Sequence, residues 1–114
     1  MILGWAPERT HVFVVGTLVW KHPDLYDPFP QARRRDARLV DHFRAANVPA
    51  AQIAYLQDHA ATTAAVEAAF AAHLAAADEG DLAVVYFCGH GTKSDRGVPY
   101  FCSYDAGDPR NVGW

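Results

Sequence analysis

Three apolar runs of strand length alternate along the chain with two amphipathic stretches. The first run, His11–Gly16, is dense in β-branched residues and predicts a strand that ends at a glycine. Ile53–Leu56 predicts a short second strand and Leu82–Cys88 a third. Because Leu82–Cys88 lacks polar alternation, we expect both of its faces to be buried, as in a central strand of a parallel sheet.

The two amphipathic stretches have apolar residues at the spacings of three and four that indicate a helix. The first covers Gln31–Ala46. The second is capped by Thr62 or Thr63 and ends at Gly80. Their apolar faces consist of Leu39, Val40, Phe43 and Ala46 in the first and Val66, Phe70, Leu74 and Ala77 in the second.

This β-α-β-α-β order predicts an α/β fold with a mostly parallel sheet and right-handed crossovers. We expect the spatial order second, first, third, with a ligand crevice between the carboxyl ends of the first and third strands. Further along, Val98–Cys102 predicts a short strand or hairpin arm, and Tyr104–Pro109 has the composition of a turn.

The composition limits the classes of function. The 114 residues suffice for one domain, and 51% of them are hydrophobic, which is enough for a packed core. A net charge of −3 argues against nucleic acid as a partner. Two cysteines make no disulfide framework, and neither a secretory signal nor a membrane-length apolar run is present. We therefore expect a cytoplasmic chain without a membrane or nucleic-acid partner.

A histidine between two glycines follows the third strand, in the segment Gly89-His90-Gly91. The glycines allow a sharp turn and close approach of another molecule to the imidazole and to the Gly91 amide. Imidazole titrates near neutral pH and suits proton transfer. The alternative is a histidine that only closes the strand.

Two other segments have more than one interpretation. The connection Thr17–Pro30 is long and aromatic, so it is either functional or an ordered loop packed on its own aromatic side chains. Arg33-Arg34-Arg35 falls in the first turn of the predicted first helix, where cations oppose the helix dipole. We interpret this run as a solvated face, with binding of an acidic partner as the alternative.

The segment Asp81–Thr92 resembles the His-Gly segment of caspase-like (clan CD) cysteine peptidases, in particular their bacterial metacaspase-type branch. Three further stretches agree in order. His11–Gly16 is similar to the family's opening strand, Arg35–Ala37 to its Asn-Asp-Ala segment, and Tyr104–Ala106 to its Tyr-Asp-Ala stretch. The resemblance covers residues 11 to about 108 and implies a three-layer α-β-α, Rossmann-like caspase fold.

The resemblance implies a Cys/His endopeptidase that acts on a peptide or protein. In that family a thiol attacks the peptide carbonyl, a histidine moves protons and backbone amides hold the oxyanion. His90 matches the acid/base residue, and the Gly91 amide matches an oxyanion donor. Asp36 matches an acid that helps form the S1 pocket for Arg or Lys, although Arg35 replaces the family's Asn; an acid that offsets the helix dipole is the alternative. No resident cofactor is implied, although calcium activation is a possibility within the family.

The nucleophile of the family has no counterpart in this sequence, because the expected Asp-x-Cys-x-x-Gly segment downstream of His-Gly is absent. Cys88 is expected to point into packing beside the dyad position, and Cys102 is expected to be structural. These cysteines with His90 and His59 match no zinc spacing, so we expect no metal site. We interpret the other histidines as surface or filler residues: His11, His22, His42, His59 and His73.

We therefore interpret residues 1–114 as a single partial caspase-like domain, cut before the strand that carries the nucleophile and inactive alone. Its partner would be the missing C-terminal half of the domain. A free-standing half-domain is the other explanation, in which case an inactive binding or assembly module uses the sheet edge or the Trp20–Phe29 loop. A nucleotide-binding domain is disfavoured, because Gly16–Val19 is not a Gly-rich phosphate loop.

Overall fold

Three parallel strands form one sheet in the computed structural model, which describes residues 4–107. β1 spans Thr10–Gly16, β2 Ile53–Gln57 and β3 Leu82–Cys88, in the spatial order β2-β1-β3. The predicted strands and their order are confirmed. The register places Gly16 beside Gln57 on one side and Cys88 on the other, so all three strands end at the same edge.

A helix covers each face of the sheet. Successive residues of β1 point to opposite faces, so β1 supplies side chains to the contact with each helix. α1 spans Arg35–Ala45 and α2 spans Thr63–Ala75. On the α1 side the buried cluster consists of Val12, Val14, Val40 and Val48; on the α2 side it consists of Phe13, Val15 and Ala61, joined by Val66 and Phe70. The fold is therefore α/β with its core on both sides of β1.

Both helices are shorter than the sequence predicts. Arg33 has a left-handed φ of 58°, and Arg34 has a non-helical ψ of 122°, so α1 begins only at Arg35. The Thr62 hydroxyl caps α2 by accepting the Ala65 N–H at 3.2 Å. The predicted end at Gly80 is wrong, since α2 ends at Ala75 and Gly80 (φ 85°) lies in the turn before β3.

The expectation that both faces of β3 are buried is also wrong. Leu82 is 47% and Val85 44% exposed, whereas every residue of β1 is buried. Among the described strands β3 pairs only with β1, so it lies at the edge of the sheet and the helices cover it incompletely. An apolar run therefore marks the strand here without marking a central position.

A two-stranded antiparallel hairpin follows β3. It consists of β4 (Gly91–Lys93) and β5 (Pro99–Phe101), as the sequence predicts for the second arm. Tyr104 and Asp105 form a turn, while Asp108 and Pro109 of the predicted turn lie outside the described residues. No helix within residues 4–107 is long and apolar enough to cross a membrane.

Candidate functional site

The site lies at the carboxyl edge of the sheet, where the 17–30 connection folds down on the end of β3. The Thr17 N–H donates to the Cys88 carbonyl at 3.0 Å. Gly89 has a φ of 146°, and a Cβ there would lie 2.8 Å from the Thr17 carbonyl oxygen and 3.3 Å from the Trp20 ring. Gly89 therefore permits both the turn and the close approach of this connection.

Aromatic rings of the 17–30 connection surround the imidazole of His90, which is half-buried. The centroid of the His90 ring lies 4.5 Å from that of Phe29, 4.6 Å from that of Trp20 and 6.0 Å from that of Tyr26. Trp20 and Tyr26 are themselves buried. The connection is thus an ordered loop packed on its own aromatic side chains, and the same side chains position His90.

One ring nitrogen of His90 has a fixed partner. His90 Nε2 lies 2.8 Å from the backbone carbonyl oxygen of Asp27. A carbonyl oxygen can only accept a hydrogen bond, so Nε2 carries the proton and, in the neutral ring, Nδ1 keeps its lone pair. An imidazole whose tautomer is set in this way suits a general base that acts through Nδ1. The role of the Asp27 carbonyl could not be predicted from the sequence, because every residue carries a backbone carbonyl.

The amide of Gly91 is directed away from the hairpin partner. The Cys102 N–H donates to the His90 carbonyl and the Ser94 N–H donates to the Val98 carbonyl, both at 2.9 Å. Hydrogen-bonded pairs alternate in an antiparallel ladder, so Gly91, opposite Phe101, occupies a non-hydrogen-bonded position. Its N–H therefore points to the outer edge of β4, one residue from the imidazole, as an oxyanion donor requires.

A polar cluster centred on Asp36 lies at the same edge of the sheet. The Asp36 side chain is fully buried and accepts hydrogen bonds from Arg34 Nε at 3.1 Å and Arg34 Nη2 at 2.8 Å. The Tyr55 hydroxyl donates to Asp36 Oδ2 at 2.6 Å. Asp36 lies in the first turn of α1, next to Gly16, the neighbour of Cys88 in the sheet.

Asp58 completes this cluster from the end of β2. Arg34 Nη1 and Nη2 lie 2.5 Å and 3.2 Å from its two carboxylate oxygens, and the Leu18 N–H donates to Oδ1 at 2.9 Å. Asp58 has a left-handed φ of 50°, a conformation that costs about 1–3 kcal/mol for a residue other than glycine. This backbone turns the carboxylate toward Arg34.

The interpretation of Arg33-Arg34-Arg35 as a solvated face is wrong for its middle residue. Arg33 and Arg35 are exposed, but the Arg34 side chain is only 8% exposed and pairs with two carboxylates. A cation placed against the helix dipole was the one sequence signal that this run serves something other than helix stability. Asp58 was visible at the strand end, but nothing linked it to Arg34, 24 positions away.

The pairing fixes the charge of the cluster. Burial acts to raise the pKa of Asp36, but hydrogen bonds from Arg34 and Tyr55 outweigh it and hold that pKa below the usual range. Burial acts to lower the pKa of Arg34, and the hydrogen bonds to Asp36 and Asp58 outweigh it and raise the pKa. Burial and then the Asp36 hydrogen bond raise the pKa of Tyr55. Asp36 is therefore ionised, Arg34 protonated and Tyr55 neutral at physiological pH.

Neither cysteine is in the environment of a nucleophile. Cys102 is 4% exposed and packs with Trp20 and Tyr26, and Cys88 is half-buried. Burial raises the pKa of both thiols, so both are protonated near neutral pH. Both line a small, largely apolar cavity of about 30 Å³ beneath His90, with room for about one water molecule.

Of the histidines predicted to be surface or filler residues, His11 and His73 lie in the interior. His11 is 5% exposed, and its Nε2 lies 2.9 Å from Asp81 Oδ2, which makes it a buried, hydrogen-bonded residue. His73 of α2 is partly buried, with its ring centroid 5.9 Å from that of His11. Both lie away from the His90 edge, at the start of β1. Across residues 4–107, no group of three or more His, Cys, Asp or Glu side chains is arranged to hold a metal ion.

No protein-family model, no curated protein and no solved structure matches this chain.

Proposed function

We propose that this chain is the histidine-bearing part of a caspase-like cysteine endopeptidase domain that cleaves after a basic residue. The observation that carries the proposal is His90. Its Nε2 is held by the Asp27 carbonyl, its Nδ1 keeps the lone pair, and an outward-facing amide follows at Gly91. A base held by a third group beside an oxyanion donor is the arrangement that acyl transfer requires.

The chemical steps assign His90 to proton transfer. A cysteine thiolate attacks the peptide carbonyl carbon, a C–S bond forms, and the oxyanion is stabilised by the Gly91 N–H. His90 passes the thiol proton to the leaving amine as the C–N bond breaks. Water, deprotonated by His90, then attacks the thioester, the C–S bond breaks and the thiol is restored. Because Cys88 and Cys102 are buried with raised pKa values, the thiol in this proposal comes from a segment outside residues 4–107.

The acidic cluster supports a preference for a basic residue before the scissile bond. Asp36 and Asp58 present two carboxyl groups, each paired with a guanidinium, at the same edge of the sheet as His90. Such a pair matches the forked donors of a guanidinium. We therefore assign substrate recognition to Asp36, as the family resemblance implies, and add Asp58.

Peptidase activity is testable by complementation. The chain alone should not cleave arginine or lysine reporter peptides. A polypeptide continued with the cysteine-bearing segment of its own gene should cleave them, and His90→Ala should reduce kcat/KM at least about 10³-fold. His59→Ala, an exposed histidine at the end of β2, is the matched control and should keep full activity. Cleavage that survives His90→Ala would rule out the dyad.

An inactive assembly module is the second candidate, and the exposed edge of the sheet favours it. Leu82, Val85 and Phe101 are 47%, 44% and 56% exposed on β3 and β5. Exposed apolar edge strands promote pairing with another chain. A stable stoichiometric complex that Val85→Lys disrupts, from a continued polypeptide that cleaves nothing, would favour this function over the peptidase.

A further inference from the structure

The Asp36–Asp58 cluster already contains a guanidinium, and that guanidinium belongs to the same chain. Besides the two carboxylates, Arg34 donates from Nη2 to the Gly16 carbonyl at 3.1 Å and from Nη1 to Gln31 Oε1 at 2.9 Å. The five N–H groups of the Arg34 side chain therefore make six hydrogen-bond contacts. Helix α1 does not require these contacts, because Arg34 precedes the helix and its side chain makes no capping hydrogen bond.

We propose that Asp36 and Asp58 form a binding site for an arginine side chain of another polypeptide, and that Arg34 occupies it here as an internal, displaceable ligand. The inference rests on the proposed function only in taking a peptide arginine as the external ligand. It adds that the site is closed by the chain itself and opens when the segment of residues 31–34 moves away.

The two carboxylates are held in place without Arg34, so the site persists when Arg34 leaves. The Tyr55 hydroxyl and the contact with Gly16 fix Asp36, and the Leu18 N–H fixes Asp58. A preformed site binds its ligand without first ordering its own residues. The ligand must be a cation, because two unpaired carboxylates in a buried site repel each other.

The geometry selects a guanidinium over an ammonium. One plane of donors reaches two oxygens of Asp36, two of Asp58 and the Gly16 carbonyl. A lysine has three donors on one nitrogen and cannot span these acceptors. Arginine is therefore the expected ligand.

The segment that carries Arg34 is held less firmly than the site. Arg33, with its left-handed φ of 58°, stores backbone strain that release of the segment would relieve. Gln31, Arg33 and Arg35 around Arg34 are all exposed. The alternative is a permanent structural pin, in which Arg34 only joins the ends of β1, β2 and α1.

Binding of blocked dipeptides, measured by isothermal titration calorimetry without any cleavage, distinguishes a displaceable Arg34 from a permanent structural one. We expect Arg34→Ala to bind acetyl-Ala-Arg-methylamide at least tenfold more tightly than the unchanged chain does. Acetyl-Ala-Lys-methylamide should bind Arg34→Ala at least tenfold more weakly than the arginine ligand. Adding Asp58→Asn to Arg34→Ala should abolish binding, and Arg35→Ala, an exposed neighbour, should behave like the unchanged chain.

Several outcomes would overturn the proposal. Equal affinity of the unchanged chain and Arg34→Ala would show that Arg34 does not close the site. Binding of guanidinium ion but not of the arginine dipeptide would show a sealed hole left by a structural pin. If Arg34→Ala does not fold by circular dichroism, Arg34→Lys replaces it, and a gain below threefold contradicts the proposal. Since no peptidase step is measured, failure of the His90 assignment leaves these results standing, and the reverse also holds.

Discussion

Asp36 lies directly against the backbone of Gly16, with no side chain between them. A Cβ built on Gly16 would lie 1.6 Å from Asp36 Oδ2 and 2.4 Å from its Cγ. The last residue of β1 and the first turn of α1 therefore meet at a point where only a hydrogen atom fits. This contact brings a fully buried carboxylate to the carboxyl edge of the sheet.

Gly16→Ala should consequently be severely destabilising. The methyl group would displace the Asp36 carboxylate from Arg34 and Tyr55 and leave buried charge unpaired, at a cost of about 3 kcal/mol or more. Urea denaturation followed by circular dichroism measures the loss. Gly107→Ala is the matched control, because nothing lies within 4 Å of a Cβ there. Equal midpoints for the two variants would contradict this account of the contact.

The sequence predicted the elements well and their burial poorly, for a physical reason. Leu82–Cys88 is an apolar run bounded by Asp81 and Gly89, so its limits as a strand follow from local pattern. Whether a strand is central depends on which others pair with it, and that information is not local. β1 is central among the described strands, as the predicted order second, first, third requires, and β3 lies at the edge.

The residues of the candidate site also differ in whether local sequence marks them. His90 and Gly91 were singled out because glycines and a strand end mark them locally, whereas Asp36 was singled out only because Arg35–Ala37 resembles the Asn-Asp-Ala segment of the caspase-like family. Arg34 was missed because its partner Asp58 lies 24 positions away and becomes its neighbour only through the parallel pairing of β1 with β2. No periodicity or propensity reports such a contact.

Tyr55→Phe should remove one hydrogen bond to the buried Asp36 carboxylate. A hydrogen bond to a charged group contributes about 1.5–3 kcal/mol, and we expect a loss of unfolding free energy in that range. Tyr86→Phe is the control and should change stability much less, because Tyr86 is a partly buried tyrosine at the same register on β3, on the other side of β1. In an Asp36→Asn background the effect of Tyr55→Phe should shrink, because the charged acceptor is gone. An undiminished effect there would show that Tyr55 acts through packing.

Stability should fall as the pH drops below about 6.5, and His73 should cause the first part of that fall. Burial, followed by the charge of His11, lowers the pKa of His73. The unfolded chain then binds more protons than the folded one, so the stabilisation is complete above the unfolded pKa and is lost below it. His73 Nε2 is buried and has no hydrogen-bond partner within residues 4–107, and burial outweighs the backbone groups of Gln52 and Val12 that favour the protonated ring.

Asp81, which faces His73 through His11, contributes to the pH dependence at lower pH. His11 contacts His73, and Asp81 accepts from His11 on the far side. The Asp78 N–H, Arg9 and His11 lower the pKa of Asp81 to about 2, so its contribution is lost between about pH 4 and 2. His73→Gln should therefore reduce the change of the urea midpoint between pH 7.5 and 5.5. It should leave unchanged the loss of stability that Asp81 causes between about pH 4 and 2. His42→Gln, on the exposed face of α1, should keep the original slope; equal slopes for both variants would remove His73 as the cause.

The tautomer of His90 can be measured directly by NMR. Because Nε2 donates to a backbone carbonyl, the neutral ring should be the Nε2–H form, visible in two-bond ¹H–¹⁵N spectra of histidine-labelled protein at pH 8.5. Asp27→Ala keeps the carbonyl and should keep the tautomer. Gly89→Ala would push its methyl group against the Thr17 carbonyl and the Trp20 ring, lift the 17–30 connection and release the tautomer preference. An Nδ1–H ring in the unchanged chain would remove the lone pair that a base acting through Nδ1 requires.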